Sequence, residues 1–366
     1  MGSNGYLKDQ LITYLGNKRA LLDFIDNVVK IVKEDLRKEK LIIVDGFSGS
    51  GVVARYFKKH ASKIITNDLE DYSKIINESF LTNKKDVNYD EIITYTDLLN
   101  DKKFRTDLGI GIIEKLYAPK ETNNILEGER CFYTNENAKI IDNIRRTIDL
   151  EVPEHLRKFV LSILLYKASV HNNTSGVFKG FYKGKKSPLG KFGGEGENAL
   201  QRILGEIIME PIILSDDDCE SVCYQEDTNT LMDKLTDIDL VYYDPPYNQH
   251  PYGSNYHMLN TILNYVEPQQ ISEVAGIPVD WNKSQYNKQN KALATFTELI
   301  NKTNSKYIMI SYNNEGFIKY DEMVKLCRDK GELQVFDCVY NTFRGSRNLR
   351  ERDIKVTEYI FLIKTI

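Results

Sequence analysis

Five cysteines in 366 residues are too few, and too scattered, for a disulfide framework. Cys131, Cys219, Cys223, Cys327 and Cys338 fit a reducing compartment instead. Cys219 and Cys223 are close in sequence, but no second pair and no clustered histidines complete a metal site, so no metal is expected. Long apolar runs are also missing. No stretch approaches the ~20 residues needed to span a bilayer, and the N-terminus lacks a leader pattern. These features predict a cytoplasmic protein with no membrane partner. There is no internal repeat and no low-complexity linker. Basic excess is missing too: the net charge is −4, which on its own argues against a nucleic-acid partner. Hydrophobic content of 41% and charged content of 28% suit a globular chain with a substantial core.

The charge is distributed unevenly. Lys179, Lys183, Lys185, Lys186 and Lys191 fall in one acid-free stretch interleaved with Phe178, Phe181 and Tyr182. Arg344, Arg347, Arg350 and Arg352 make a second cluster. Two basic segments on an acidic body can line a groove for phosphates, with aromatics available for stacking. Solvated loops are the plain alternative.

The most informative residues are Asp244-Pro-Pro-Tyr247. They follow Ile238-Asp-Leu-Val-Tyr-Tyr243, a short buried strand stopped by prolines. The tetrapeptide offers a carboxylate, a backbone carbonyl and an aromatic face on a stiff loop. That set can hold the exocyclic amine of a flipped-out base, two acceptors taking its two N–H bonds while a ring stacks on it. A strand merely terminated by proline is the bland reading.

Upstream, the strand Leu41-Ile-Ile-Val44 runs into Asp45-Gly-Phe-Ser-Gly-Ser-Gly51 and then a helical stretch, Val52 to Phe57. Strand, glycine turn, helix is the nucleotide-binding unit of open α/β sheets. The spacing is G-x-x-G-x-G with no following Lys-Ser or Lys-Thr, so neither the dinucleotide fingerprint nor a phosphate loop matches. A second strand, Lys63 to Thr66, is followed by Asp68, placed to hold ribose hydroxyls or to cap a helix over 69–80. Together these features imply an adenosyl ligand, and S-adenosylmethionine fits better than a dinucleotide.

On these motifs the chain resembles the α-group, Dam-type DNA adenine-N6 methyltransferases. Tyr14-Leu-Gly-Asn-Lys18 matches the family's first element, Asp45 to Gly51 its glycine loop, and Asp244 to Tyr247 its last. The likeness covers 11–68 and roughly 222–364. It implies an α/β, Rossmann-like S-adenosylmethionine-dependent methyltransferase sheet over 1–84 and 213–366, with an inserted, mainly helical target-recognition domain over 85–212. It implies catalysis by Asp244, Pro245, Pro246 and Tyr247. It assigns the cofactor to Tyr14, Lys18, Asp45, Phe47, Gly49, Gly51, Asp68 and Asp227, with Glu226 and Asp237 as alternatives to Asp227. DNA contacts fall to Lys179, Lys183, Lys185, Lys186, Arg344, Arg347 and Arg350. The implied activity is site-specific methylation of adenine N6 in duplex DNA, by a monomer, with a cognate restriction endonuclease as partner. Amine methylation of RNA or protein, or a silent DNA-binding relative, are the rivals.

The remaining elements are coarser. Residues 18–34 read as an amphipathic helix, which would make Lys18 a first-turn surface residue unless it has a function. Helices are expected over 135–148, 154–171 and 198–209, and from His257, itself a surface position. Strands are expected over 307–312, 333–340 and 356–364. Residues 85–120 are unassigned. Residues 267–290 are either a DNA-facing excursion or an ordered loop.

Overall fold

Seven strands form one mixed sheet in the computed structural model, which describes residues 3–103, 109–185, 187–197, 199–341 and 355–365. They are β1 (Leu41–Asp45), β2 (Ala61–Asn67), β3 (Glu220–Tyr224), β4 (Ile238–Tyr243), β5 (Ser305–Asn313), β6 (Gly331–Asn341) and β7 (Lys355–Thr365). Their order is β3-β2-β1-β4-β5-β7-β6. The first five are parallel; β7 runs antiparallel to β5, and β6 antiparallel to β7. This is the Rossmann-like α/β sheet expected from the motifs. The central strands β1 and β4 are buried on both faces, which is why they read as largely continuous apolar runs. The chain order reverses between β1 and β4, so a crevice opens at their carboxyl ends. Asp45 and Asp244 stand at those two ends.

One face of the sheet packs on the helices Leu22–Leu36 and Val52–Phe57, the other on Gln289–Lys302 and Tyr320–Lys330. Between β2 and β3 the chain first makes the crossover helix Asp71–Phe80. It then adds the helices Tyr89–Asn100, Ile112–Tyr117, Asn135–Glu151 and Glu154–Val170. These share one apolar core with the crossover helix and with His257–Asn264: Tyr72, Ile76 and Phe80 pack among Ile92, Ile141, Phe159 and Leu164.

Two local expectations fail for physical reasons, and one of the two roles open to Asp68 drops out. The helix expected over 198–209 spans only Leu200–Leu204. Beyond it the Asn137 amide donates to the Ile203 and Gly205 carbonyls and accepts from Ile207 N, while Asn100 brackets Met209 N and O. Those bonds hold the strand-like alternation of buried Ile207 and Met209 around exposed Ile208. His257 is buried, not on the surface, and its Nε2 lies 3.0 Å from the Phe178 carbonyl. Burial pushes its imidazole down to about 4, so it stays neutral at neutral pH. Asp68 is not the helix cap: that position belongs to Glu70.

Arg55 anchors the N-terminal segment. Its guanidinium is buried and donates to the carbonyls of Tyr6, Asp9 and Gln10, closing the end of the helix Ser3–Lys8. It also lies 3.2 Å above the Phe80 ring, a cation–π contact that helps offset desolvation. That anchoring sets the course of residues 10–18 toward the crevice.

Candidate active site

The turn after β1 wraps closely because its backbone bonds face inward. Gly46 N donates to Tyr242 O at 3.0 Å and Ser48 N to Asn67 O at 2.9 Å. Gly49 has φ +48°, and a Cβ there would stand 2.9 Å from Cε1 of Tyr14. Only glycine fits both constraints. Gly49 N donates to Asp68 Oδ2 at 2.8 Å, and Glu70 N to Asp68 Oδ1 at 3.1 Å. The carboxylate after β2 is thus fixed by two backbone amides at the lip of the crevice.

The crevice is a cleft of about 860 Å³, counting space open to solvent. Seven of the eight residues expected at the cofactor line it together: Tyr14, Lys18, Asp45, Phe47, Gly49, Asp68 and Asp227. Gly51 is outside the lining; at φ +76° it starts the helix Val52–Phe57, where a Cβ would meet the Asn77 side chain at 2.8 Å. Asp227 also caps the short helix Thr228–Leu231, accepting from Thr230 N. Of its alternatives, Glu226 pairs with Lys234 and Asp237 sits exposed, both away from the lining.

Tyr14 is buried and stacks against both Tyr256 (centroids 4.6 Å apart) and Tyr252 (5.0 Å), which lie 6.1 Å from each other in the same cluster. Across the cleft Phe47 meets Tyr286 edge-on at 5.2 Å. Tyr286 belongs to residues 282–287, which supply a wall through Asn282, Ser284 and Asn287 as well. Part of the segment read as a DNA-facing excursion or an ordered loop therefore faces the cleft. Glu70 lines it too. Burial, then neighbouring Asp68, push its carboxyl up to about 8, against donation from Asn260 and Asn282.

Two carboxylates approach from the strand ends. Asp45 is buried, and its Oδ1 has no hydrogen-bond partner among the described residues. Burial and the charge of Asp244 hold its carboxyl well above the usual range. Asp244 keeps 19% of its side-chain surface exposed, and its Oδ1 lies 3.1 Å from Lys18 Nζ. Pro246 joins the lining, while Pro245 is buried behind it. The Tyr247 carbonyl accepts from Phe317 N at 3.0 Å, and its ring meets Tyr312 edge-on at 6.1 Å. The tetrapeptide is therefore braced by the end of β5 and the turn after it.

Lys18 is not a surface residue. A 3-10 turn over Arg19–Leu21 precedes the helix at Leu22, so the Lys18 side chain turns inward and is 2% exposed. Its ammonium also lies 2.8 Å from Glu358 Oε1, on a glutamate with no exposed surface. Burial alone would lower the ammonium; Asp244 and Glu358 overcome it and hold it well above its ordinary value. Burial raises the Asp244 carboxyl, Glu358 raises it further, and Lys18 opposes both. Glu358 was missed in the sequence. Its signal was an acid in the inward row Val356, Glu358, Ile360, Leu362 of β7.

Lys179, Lys183 and Lys185 lie exposed on the loop that pairs Lys183 with Gly190. Lys179 is near enough to His250, in the loop after Tyr247, to depress its imidazole after burial has done so. Lys186, Arg344, Arg347 and Arg350 lie outside the described residues. Among the described residues no cluster of three or more His, Cys, Asp or Glu is arranged to hold a metal, and no helix is long and apolar enough to cross a membrane.

Comparison with known proteins agrees with this geometry. The family model for D12 class N6 adenine-specific DNA methyltransferases matches residues 14–326. Modification methylase LlaI of Lactococcus lactis is 29% identical over 96% of this chain and 54% of its own length. Type II methyltransferase M.FokI of Planomicrobium okeanokoites is 26% identical over 96% of this chain and 52% of its own. The chain thus spans about half of those two proteins. Type II methyltransferase M.NlaIII of Neisseria lactamica, 26% identical, matches over 96% of this chain and 99% of its own length.

Proposed function

This chain belongs to the D12 class of N6 adenine-specific DNA methyltransferases, and on that premise we propose that it methylates the N6 amine of a flipped-out adenine in duplex DNA. The observation that carries the reading is Asp244: a carboxylate fixed by a buried ammonium, at the end of β4, opening into a cleft built by the glycine turn of β1.

The methyl donor is S-adenosylmethionine, which supplies an electrophilic methyl group on a sulfonium when bound. The cleft fits it. The orphaned, buried Asp45 Oδ1 is an acceptor suited to an ammonium. Asp68, pinned by amides, suits ribose hydroxyls. Phe47, Tyr14 and Tyr286 are apolar surfaces for a purine, with Asp227 beside them to accept from its amine.

The target amine is a poor nucleophile because its lone pair is delocalised into the ring. Asp244 and the Pro245 carbonyl accept its two N–H bonds, drawing the nitrogen toward tetrahedral geometry. Tyr247 stacks on the base and fixes its plane. Positioning and preorganised charge do the catalytic work. Asp244 needs no strong basicity, since the N–H becomes acidic only after the methyl is attached. Lys179, Lys183 and Lys185, within a target-recognition unit over 85–212, follow the phosphates. The enzyme acts as a monomer, where the DNA is, as the modification partner of a restriction endonuclease.

Calorimetry with S-adenosylhomocysteine, paired with tritium transfer to unmethylated genomic DNA, tests this. Asp244→Ala is expected to bind the ligand like wild type and transfer nothing. Transfer at near-wild-type rate in that variant contradicts the assignment, and transfer to RNA but not DNA reassigns the substrate.

A further inference from the structure

A carboxylate with no exposed surface in the apolar row of a strand is costly unless something requires it. Glu358 sits opposite Asn313 at the carboxyl end of β5, the end of the sheet where the cleft opens. Its Oε1 accepts from Lys18 Nζ at 2.8 Å and from Ser311 Oγ at 2.5 Å, and its Oε2 lies 3.5 Å from the Tyr340 hydroxyl. Three separate elements hold it in place. A lone Lys18–Asp244 pair would be neutral, and Asp244 would be free to turn about a single contact. With Glu358 present, one ammonium faces two carboxyl groups, so the trio carries an excess negative charge once Asp244, pushed up to about 7 by burial, is ionised.

We propose that Glu358 is a positioning residue of the reaction centre: it shares the Lys18 ammonium with Asp244, fixes that carboxylate at the cleft, and leaves the trio a net negative charge that favours a cationic methyl donor and the cation formed on the methylated amine. The inference rests on the cofactor reading above. During transfer the carbon–sulfur bond breaks with its electron pair going to sulfur. The nitrogen–carbon bond forms from the amine lone pair. Positive charge therefore passes from sulfur to nitrogen, and a fixed negative charge beside both serves the whole path. Glu358 acts through Lys18 and Asp244 and touches neither reactant.

The test is Glu358→Gln, which keeps the shape and an acceptor for Ser311 but removes the charge. Calorimetry compares sinefungin, which carries an amine-borne positive charge at the position of the sulfonium, with neutral S-adenosylhomocysteine. The ratio of their affinities is expected to fall about tenfold toward the neutral ligand, the scale of one charge contact in a partly buried site. kcat is expected to fall by a similar factor. Glu358→Asp retains the charge and should keep the ratio within about twofold. A packing role would weaken both ligands alike, so an unchanged ratio in a folded Glu358→Gln protein overturns the inference while leaving the cofactor reading intact. A ratio lost equally in Glu358→Asp also overturns it. Wild-type protein that binds neither ligand overturns both.

Discussion

Replacing Lys18 with methionine removes the charge and keeps most of the stem. The ammonium now 2.8 Å from Glu358 and 3.1 Å from Asp244 is gone, and two carboxylates remain in a site where Glu358 has no exposed surface. Removing one partner of a buried ion pair typically costs about 3–5 kcal/mol, mostly from the charge left uncompensated. Here Ser311 still donates to Glu358, so the lower half of that range, about 3 kcal/mol, is expected at pH 8. The loss depends on pH with a definite sign. In wild type the Lys18 ammonium stays charged below its ordinary value of 10.5, so its own titration adds no pH dependence between pH 5 and 8. In the variant the Asp244 carboxyl loses its opposing cation and rises further above its ordinary 3.8. A raised carboxyl destabilises the folded state only as pH climbs past that ordinary value. The deficit should therefore be smaller at pH 5 than at pH 8. Urea unfolding followed by circular dichroism, read as midpoint shift times the common slope, measures it. Lys18→Met/Glu358→Gln should recover over half the loss, because the uncompensated charge is gone. A deficit below about 1 kcal/mol at pH 8, or one equal at both pH values, refutes the reasoning.

Other outcomes follow from single contacts. Gly49→Ala forces a side chain into φ +48° and against Tyr14 at 2.9 Å; it should cost about 1–2 kcal/mol and weaken S-adenosylhomocysteine binding by about tenfold or more in calorimetry. Arg55→Met leaves the Tyr6, Asp9 and Gln10 carbonyls without their donor; a loss of about 3 kcal/mol in urea and early proteolysis near Lys8 are expected, and a wild-type midpoint would contradict the anchoring role. Changing Lys179, Lys183 and Lys185 together to glutamine should lower the slope of log affinity against log salt by about 2–3; an unchanged slope removes them from the phosphate path.

What was legible in the sequence was local along the chain. The glycine turn, Asp68 and Asp244 to Tyr247 each sit beside the strand that presents them, so strand ends and turn chemistry sufficed to group them. The wall from Asn282 to Asn287 reaches the cleft, and Glu358 reaches the buried Lys18 behind it, from far along the chain, and no local periodicity encodes such a meeting. The strand β3 was overlooked because its residues are half-buried at the sheet edge and carry no alternation. Ile203 and Ile207 carry helical spacing, yet the helix stops at Leu204 and the side-chain amides of Asn137 and Asn100 bond the non-helical backbone at Gly205, Ile207 and Met209. A polar residue distant in sequence decided there what the apolar pattern left degenerate. Lys18 shows the converse. Its place at a helix start predicted exposure, and only the 3-10 turn over Arg19–Leu21 sends it inward.

Methylation-sensitive sequencing of DNA from cells expressing this chain, beside an Asp244→Ala control, tests the central claim most directly. N6-methyladenine in one short motif, absent from the control, is the predicted result. Equal N6-methyladenine in both strains, or none in the wild type, would contradict it.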